Sequence, residues 1–285
     1  MLAADRGVVA VSEEGKYLLP LRDGRVAFVK VSRSDQPWRR RQQREGWARE
    51  KTCLEVLSGL AIPSLIPLTP RQLPPSLRPA ADAQLLAIQA QVGFEDLDRA
   101  DLSPAQLVAA WLFVVEQLVA FRRHQVIYTD VKCNNVLARR RPFAVTLIDF
   151  DRATALVKGR RRLGTYGYTA GFQAPETARG AGATERSLVF QAGILLPHIL
   201  MHTANHDLRA PRRGLARLRP ILAELGCDSL VPVVSRCVAR RPQDRPRNYE
   251  EVLKAISRVP LGEEVRALRE TLRRPYAARL AGVGL

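Results

Sequence analysis

The stretch that decides the fold is YTDVKCNNVLARRRPFAVTLIDFD, residues 128–151. Asp130, Lys132 and Asn135 share one polar turn, and Asp149 follows an apolar run that predicts a short strand. The pattern predicts two carboxylates, an amide and an amine at the ends of a hairpin. Phosphoryl transfer needs such a set: a base beside the attacking hydroxyl, a lysine near the migrating phosphate and oxygen ligands for Mg²⁺. Taken alone, the same residues are equally consistent with a capped turn that has no catalytic role.

Three further motifs follow the polar turn along the chain. They are DFD at 149–151, APE at 174–176 and RPQDRP at 241–246, the last followed by the amphipathic pattern NYEEVLKAI. Together with YTDVKCNN at 128–135, they resemble the catalytic loop and the D-F-G, A-P-E and P-x-x-R-P signatures of the protein kinase superfamily, of the Ser/Thr type. Four ordered signatures over about 120 residues make coincidence implausible. The resemblance covers roughly residues 10–258.

The resemblance implies a role for each polar residue of the turn and for Asp149. Asp130 would orient and deprotonate the acceptor hydroxyl, and Lys132 would neutralise the transferring phosphate. Asn135 and Asp149 would hold Mg²⁺, with Asp149 bridging the phosphates of ATP. The implied cofactors are therefore ATP and Mg²⁺.

Lys30, at the end of the strand pattern VAFVK, matches the family lysine that binds the α- and β-phosphates. In the family this lysine pairs with a glutamate on a helix. Glu50 is the preferred partner because E-x-x-x-L-x-x-L at 50–57 fits the family helix. Glu45 is the alternative.

The activation segment of the resemblance spans residues 149–176. Thr169 lies seven residues before Glu176, where Ser/Thr kinases have a threonine that bonds the catalytic Asp and Lys. Thr165 is the alternative, but it requires a four-residue insertion. Glu176 and Arg245 are expected to form a buried ion pair that fixes this segment rather than raising net stability.

The chain departs from the family pattern at several positions. The loop SEEGKY at 12–17 stands in place of G-x-G-x-x-G, whose backbone N–H groups bind phosphate, and its two glutamates would repel phosphate. Asp151 replaces a glycine and is either a solvated turn carboxylate or an additional metal ligand. Leu188 replaces an aspartate that anchors the catalytic loop, so the turn is expected to be less preorganised. Tyr128 and Thr129 replace His and Arg, which predicts activity without loop phosphorylation.

Local patterns place strands first and helices later. An Asp-Gly turn at 23–24 joins two strand patterns, and the prolines within 63–80 exclude helix and central strand. The predicted fold class is α+β, a two-lobed protein kinase-like fold with a small β-rich N-lobe and a larger helical C-lobe. We assign the N-lobe to 1–92, the C-lobe to 93–259 and a C-terminal helical tail to 260–285.

Composition and charge limit the function classes. The 285 residues are 46% apolar and 26% charged, which excludes disordered, collagen-like and disulfide-stapled chains. With 45 Lys plus Arg against 28 Asp plus Glu, the net charge of +17 indicates either anionic partners or a general arginine bias. Those partners would be an acidic or phosphorylated protein substrate, an anionic membrane surface or lipopolysaccharide. Nucleic acid is not expected, because no motif with stacking aromatic residues stands out.

Cysteine usage and hydropathy bear on compartment. The four cysteines form no C-x-x-C pair and have no histidine at ligand spacing, so structural zinc is not expected and the thiols are expected to be reduced. Cys133 is either a filler residue or a reactive thiol. No uninterrupted apolar window has the length to span a bilayer, and no signal peptide is evident. We therefore expect a cytoplasmic protein, peripheral to the inner membrane at most.

Three functions are consistent with these residues. An ATP-dependent phosphotransferase of the Ser/Thr protein kinase type is preferred, because Lys30 and all four polar catalytic positions are present. A lipopolysaccharide or sugar kinase of kinase-like fold is the first alternative. A catalytically weak pseudokinase that acts as a binding module is the second, favoured by the SEEGKY loop and by Leu188.

Overall fold

The computed structural model describes residues 8–12, 15–31, 36–77, 85–155, 171–201 and 211–285. The chain divides into two compact units. The N-terminal unit comprises Met1–Ser58, Ile62–Gly93 and Ile148–Ala153, and the C-terminal unit comprises Gly59–Ala61, Phe94–Leu147 and Thr154–Leu285. The predicted boundaries after residues 92 and 259 stay predictions.

The N-terminal unit contains an antiparallel sheet and a long helix. Its elements are β1 (Val9–Ser12), β2 (Lys16–Pro20), β3 (Val26–Val31), α1 (Pro37–Val56) and β4 (Leu85–Gln89), with the strands in the order β1-β2-β3-β4. The Asp-Gly turn joins β2 to β3, and Gly24 adopts a φ of 81° that favours glycine. This hairpin sets the register in which Lys16 lies opposite Lys30.

The core of this unit lies on one face of the sheet. Alternate residues of β2 and β3 point into it, as the period of a strand requires. The proline-rich segment supplies further apolar side chains to the same core. The residues buried there include Tyr17, Leu19, Ala27, Val29, Ile66, Leu73 and Leu77.

The C-terminal unit is mainly helical. Its strands are β5 (Glu95–Asp96), β6 (Val126–Ile127), β7 (Val136–Arg139), β8 (Ala144–Leu147) and β9 (Thr154–Ala155). Its helices are α2 (Pro104–Arg123), α3 (Glu185–Met201), α4 (Pro211–Glu224), α5 (Leu230–Cys237), α6 (Tyr249–Ile256), α7 (Glu263–Arg273) and α8 (Ala277–Gly282). Strands β5, β7 and β8 form one antiparallel sheet, and β6 pairs with β9.

Helix α2 forms the centre of the C-terminal unit. It begins with a capping box in which the Ser103 hydroxyl accepts from Gln106 N and the Gln106 side chain accepts from Ser103 N. Trp111 is fully buried and donates its indole N–H to the carbonyl of Ala192 on α3, at 2.8 Å. By length and composition α2 is the one helix among the described residues that could cross a membrane. Because 89% of its apolar window is buried inside the protein, its apolar composition is that of a core helix.

The last helices pack on α2 through a buried charge. Glu116 of α2 is 2% exposed and accepts a hydrogen bond from Arg269 Nε at 2.7 Å, with Arg273 Nε at 3.5 Å from its other oxygen. Residues 260–285 thus belong to the C-terminal unit. The sheet-containing N-terminal region and the helical C-terminal region confirm the predicted α+β class.

Candidate active site

A buried ion pair joins β3 to α1 in the N-terminal unit. Lys30 is 4% exposed and Glu50 is completely buried, with Nζ 2.6 Å from Oε2. Burial of either charge alone would be strongly unfavourable, so each side chain can be buried only because the other neutralises its charge. Glu45, the alternative partner, instead accepts a hydrogen bond from Arg41 on the exposed surface of α1. The structure therefore places Glu50, and not Glu45, against Lys30.

Asp149 lies on the other side of the same lysine. Its Oδ1 atom is 3.4 Å from Lys30 Nζ, and about a third of its side chain is exposed. Asp149 has a φ of 64°, a left-handed conformation that non-glycine residues adopt mainly where function or context imposes it. Burial by itself lowers the pKa of Lys30, but the charges of Glu50 and Asp149 outweigh it and raise that pKa. The lysine is therefore a fixed cation that can receive an anionic group.

Asp151 adds a third carboxylate to this group. The backbone carbonyl of Asp151 accepts a hydrogen bond from Arg49 Nε at 3.2 Å. The side chain of Asp151 packs closely on Gly46, since a Cβ atom added at Gly46 would lie 3.4 Å from Asp151 Cβ. Burial raises the pKa of Asp151, and the neighbouring charge of Asp149 raises it further. Asp151 is thus a half-buried carboxylate packed against α1 rather than a fully solvated turn residue.

The polar turn forms a second group, within the C-terminal unit. Asp130 is 5% exposed, and its Oδ2 lies 2.9 Å from Lys132 Nζ. The Asn135 side-chain amide donates both to the Asp130 carbonyl at 2.9 Å and to Oδ2 at 3.2 Å. A 3₁₀ turn over Cys133–Asn135 is closed by a bond from Asn135 N to Lys132 O. These bonds hold the carboxylate, the ammonium and the amide in one preorganised arrangement.

Apolar packing supports this turn at the positions where the chain departs from the family pattern. Tyr128 and Thr129 are buried, and the Tyr128 ring contacts Phe121 edge-on at 6.3 Å. Leu188 on α3 is also fully buried. Tyr128, Thr129 and Leu188, which stand where the family pattern has His, Arg and Asp, are therefore part of the buried core.

Glu176 and Arg245 form a bidentate ion pair. Arg245 Nη1 and Nη2 donate to the two carboxylate oxygens at 2.7 and 2.9 Å, and Ser187 Oγ donates to the first of these oxygens. Burial would raise the pKa of Glu176, but the hydrogen bonds from Arg245 outweigh it and hold the pKa below its usual value. The guanidinium, which is fully buried, also donates to three backbone carbonyls: those of Ala239, Arg186 and Arg240.

Comparison with known proteins finds a family match and a similar sequence. The family model described as "Protein kinase domain" matches residues 88–216, which contain the polar turn, Asp149 and Glu176. Receptor-like kinase LIP2 of Arabidopsis thaliana is 29% identical over 163 residues. That alignment covers 46% of this chain and only 28% of the length of LIP2.

The matched segment of this chain is therefore similar to a protein kinase domain. The two matches support the resemblance read from the motifs at 128–151 and 174–176. The matched segment carries Asp130, Lys132, Asn135 and Asp149, whereas Lys30 lies before it. The ion pair of Lys30 with Glu50 lies outside the matched residues.

Several predicted residues lie outside the described part of the chain. These are Thr169, its alternative Thr165 and the two glutamates of the SEEGKY loop. Their roles stay predictions.

Sequence reasoning missed the surroundings of Cys133. This thiol is 1% exposed, and burial raises its pKa, with Asp98 raising it further, so it is not a reactive thiolate. Asp98 and His198 both lie close to it. Separations of 35 and 65 residues along the chain left no local pattern that joins them.

Proposed function

We propose that this kinase is catalytically active, uses ATP with Mg²⁺, and transfers the γ-phosphoryl group to a serine or threonine hydroxyl of a protein. The observation that carries the proposal is the buried contact of Lys30 with both Glu50 and Asp149. A binding module without catalysis has no need of a buried lysine held between two carboxylates. Lys30 would bind the nucleotide phosphates, and Glu50 would fix its position.

The carboxylates fit a divalent cation. Mg²⁺ prefers oxygen ligands, and Asp149 presents a partly exposed carboxylate beside the half-buried Asp151. Asn135 donates its amide N–H groups to Asp130, so its amide oxygen is the atom that would coordinate. Protein kinase domains generally use ATP and Mg²⁺, and the bound ion neutralises phosphate charge. The resemblance implies this role for Asp149 in the N-terminal unit and for Asn135 in the C-terminal unit.

The polar turn supports the chemistry of the acceptor. Asp130 would receive the proton of the attacking hydroxyl as the bond from its oxygen to phosphorus forms. Lys132, already 2.9 Å from Asp130, would offset the charge that develops on the transferring group. Asn135 holds Asp130 through two hydrogen bonds, so the base needs little reorganisation.

The net charge of +17 supports an acidic or phosphorylated protein as the physiological substrate. The proposed location is cytoplasmic, with peripheral attachment to an anionic inner-membrane surface as its extension. A lipopolysaccharide or sugar acceptor is the second candidate, favoured by the carboxylate of Asp151 beside Asp149. The bidentate pair of Glu176 with Arg245 favours the protein acceptor, because sugar kinases of related fold usually lack both residues.

The test combines nucleotide binding with phosphotransfer. Full-length protein is heated with and without Mg-ATP, and transfer of labelled γ-phosphate is followed on acidic protein substrates and on cell-envelope extract. Nucleotide that binds only the folded state must raise the melting temperature. We expect Asp149→Asn to lose the Mg²⁺-dependent rise, and Asp130→Asn to keep it while losing phosphotransfer. The exposed Asp23→Asn is the matched control and should retain both.

Three outcomes would contradict the proposal in different ways. Near-normal transfer by Asp130→Asn would refute its role as base. No thermal shift at millimolar nucleotide would favour the pseudokinase. Label confined to sugar or lipid would favour the second candidate.

A further inference from the structure

Three side chains of metal-ligand type lie together beside the polar turn, apart from the groups assigned to phosphotransfer. The carboxylate of Asp98, the thiol of Cys133 and the imidazole of His198 place their ligand atoms within 4.8 Å of one another. Asp98 follows β5, Cys133 begins the 3₁₀ turn, and His198 lies on α3. The cluster therefore joins three separate elements of the C-terminal unit.

Burial distinguishes this cluster from a chance grouping at the surface. Cys133 is 1% exposed, and Asp98 Oδ1 is a buried oxygen that accepts no hydrogen bond from any residue the structure describes. Leaving a buried acceptor unsatisfied is unfavourable by about 1–3 kcal/mol, so such atoms are rare in folded proteins. A backbone hydrogen bond holds Asp98 near Cys133, because N of Leu97, the residue before Asp98, donates to Cys133 O at 3.4 Å. A cation bound in the cluster would give the Asp98 carboxylate a partner.

We propose that Asp98, Cys133 and His198 bind one Zn²⁺ ion or a related divalent transition metal. Thiolate sulfur, imidazole nitrogen and carboxylate oxygen are the ligands that zinc takes in proteins, and a water would complete a tetrahedron. Mg²⁺ takes oxygen ligands and does not compete well for sulfur and nitrogen. The site is therefore chemically distinct from the magnesium ligands Asp149 and Asn135, and the inference does not depend on ATP binding.

The geometry requires only a small adjustment. Zinc bonds of about 2.0–2.3 Å place tetrahedral ligand atoms about 3.3–3.7 Å apart. Because the three ligand atoms already lie within 4.8 Å of one another, they would draw together by at most about 1.5 Å. On binding, the Cys133 thiol releases its proton to solvent and its sulfur forms the bond to the metal, with no change of oxidation state.

A metal here would fasten the polar turn to α3. Leu188 of that helix is buried in the core and offers no polar group to the turn. Cys133 directly follows Lys132, so a bond from its sulfur to an ion held by His198 restrains the turn from the same helix. We expect the ion to stabilise the C-terminal unit by binding the folded state alone.

The experiment measures metal binding on the full chain, without an activity assay. Protein stripped with a chelator is incubated with Zn²⁺ and desalted, and zinc is counted per chain by mass spectrometry. A second sample is titrated with Co²⁺, whose bond to thiolate gives a charge-transfer band in the near ultraviolet. One zinc per chain, a raised melting temperature and this band are the expected results. A chain that retains no zinc and gives no band overturns the inference.

Variants then assign the ligands. Cys133→Ser should abolish the cobalt band, and Asp98→Asn or His198→Gln should weaken Co²⁺ binding by at least about tenfold. Asp98→Asn preserves side-chain shape, so it keeps the test decisive even if Cys133→Ser does not fold. Cys227→Ser is the control, because this buried thiol of the same unit lies outside the cluster and makes hydrogen bonds that serine can replace. A band that survives Cys133→Ser, or affinities unchanged in both other variants, places the metal elsewhere and overturns the assignment.

Discussion

At the scale of single residues, variants of the Lys30–Glu50 pair distinguish its effect on stability from its effect on catalysis. Lys30→Met leaves the Glu50 carboxylate buried without its partner, and loss of one partner of a buried pair lowers the free energy of unfolding by about 3–5 kcal/mol. The double variant Lys30→Met/Glu50→Leu replaces both charges with apolar groups, so it should recover most of that loss. Phosphotransfer should be lost in the single variant and should not be recovered in the double variant. Urea denaturation and a γ-phosphate transfer assay measure the two quantities.

Lys16→Met is the matched control, because Lys16 lies opposite Lys30 in the sheet but is only partly buried. Its stability should change by no more than about 0.5 kcal/mol, as for most surface substitutions. A double variant that is active would show that the lysine is structural only. A double variant no more stable than Lys30→Met would show that the buried carboxylate is not the source of the loss.

At the scale of elements, the bond of Glu176 to Arg245 ties the start of a 3₁₀ turn at Thr177–Arg179 to the segment before α6. The folded pKa of Glu176 lies below its unfolded value, so the unfolded chain binds more protons in acid. The pair therefore contributes stability above the ordinary glutamate pKa of about 4.3, and this contribution is lost as pH falls through the lower folded value. Glu176→Gln should be less stable than wild type at pH 7, and the difference should begin to narrow at about pH 4.3 and continue to narrow as pH falls further.

Chemical denaturation at a series of pH values measures that difference. Glu55→Gln, on the exposed side of α1, should follow the wild-type curve throughout. A gap between wild type and Glu176→Gln that is constant from neutral to acid pH would mean that the charge of Glu176 does not stabilise the fold.

At the scale of the whole molecule, what the sequence could predict depended on how far apart the interacting residues lie. The polar turn and its hydrogen bonds lie within six residues, so their spacing alone predicted the group around Asp130. Glu50 was predictable at a distance of twenty residues, because E-x-x-x-L-x-x-L at 50–57 fits the helix of the family that the chain resembles. The contacts of Cys133 with Asp98 and His198, and of Glu116 with Arg269, join distant segments through tertiary packing. No local periodicity of the sequence indicates such contacts.

The net charge of +17 is also a property of the whole molecule, and it has a measurable consequence for substrate choice. Because exposed charges attract over about 10 Å at 0.1 M salt and less at higher salt, binding of an acidic substrate should weaken as ionic strength rises. Between about 0.05 and 0.3 M salt, we expect KM for an acidic peptide to rise at least about threefold, with kcat little changed. A neutral peptide with the same acceptor serine is the control, and its KM should stay nearly constant. If both KM values respond equally, the arginine surplus does not select the substrate, and a general arginine bias explains the charge.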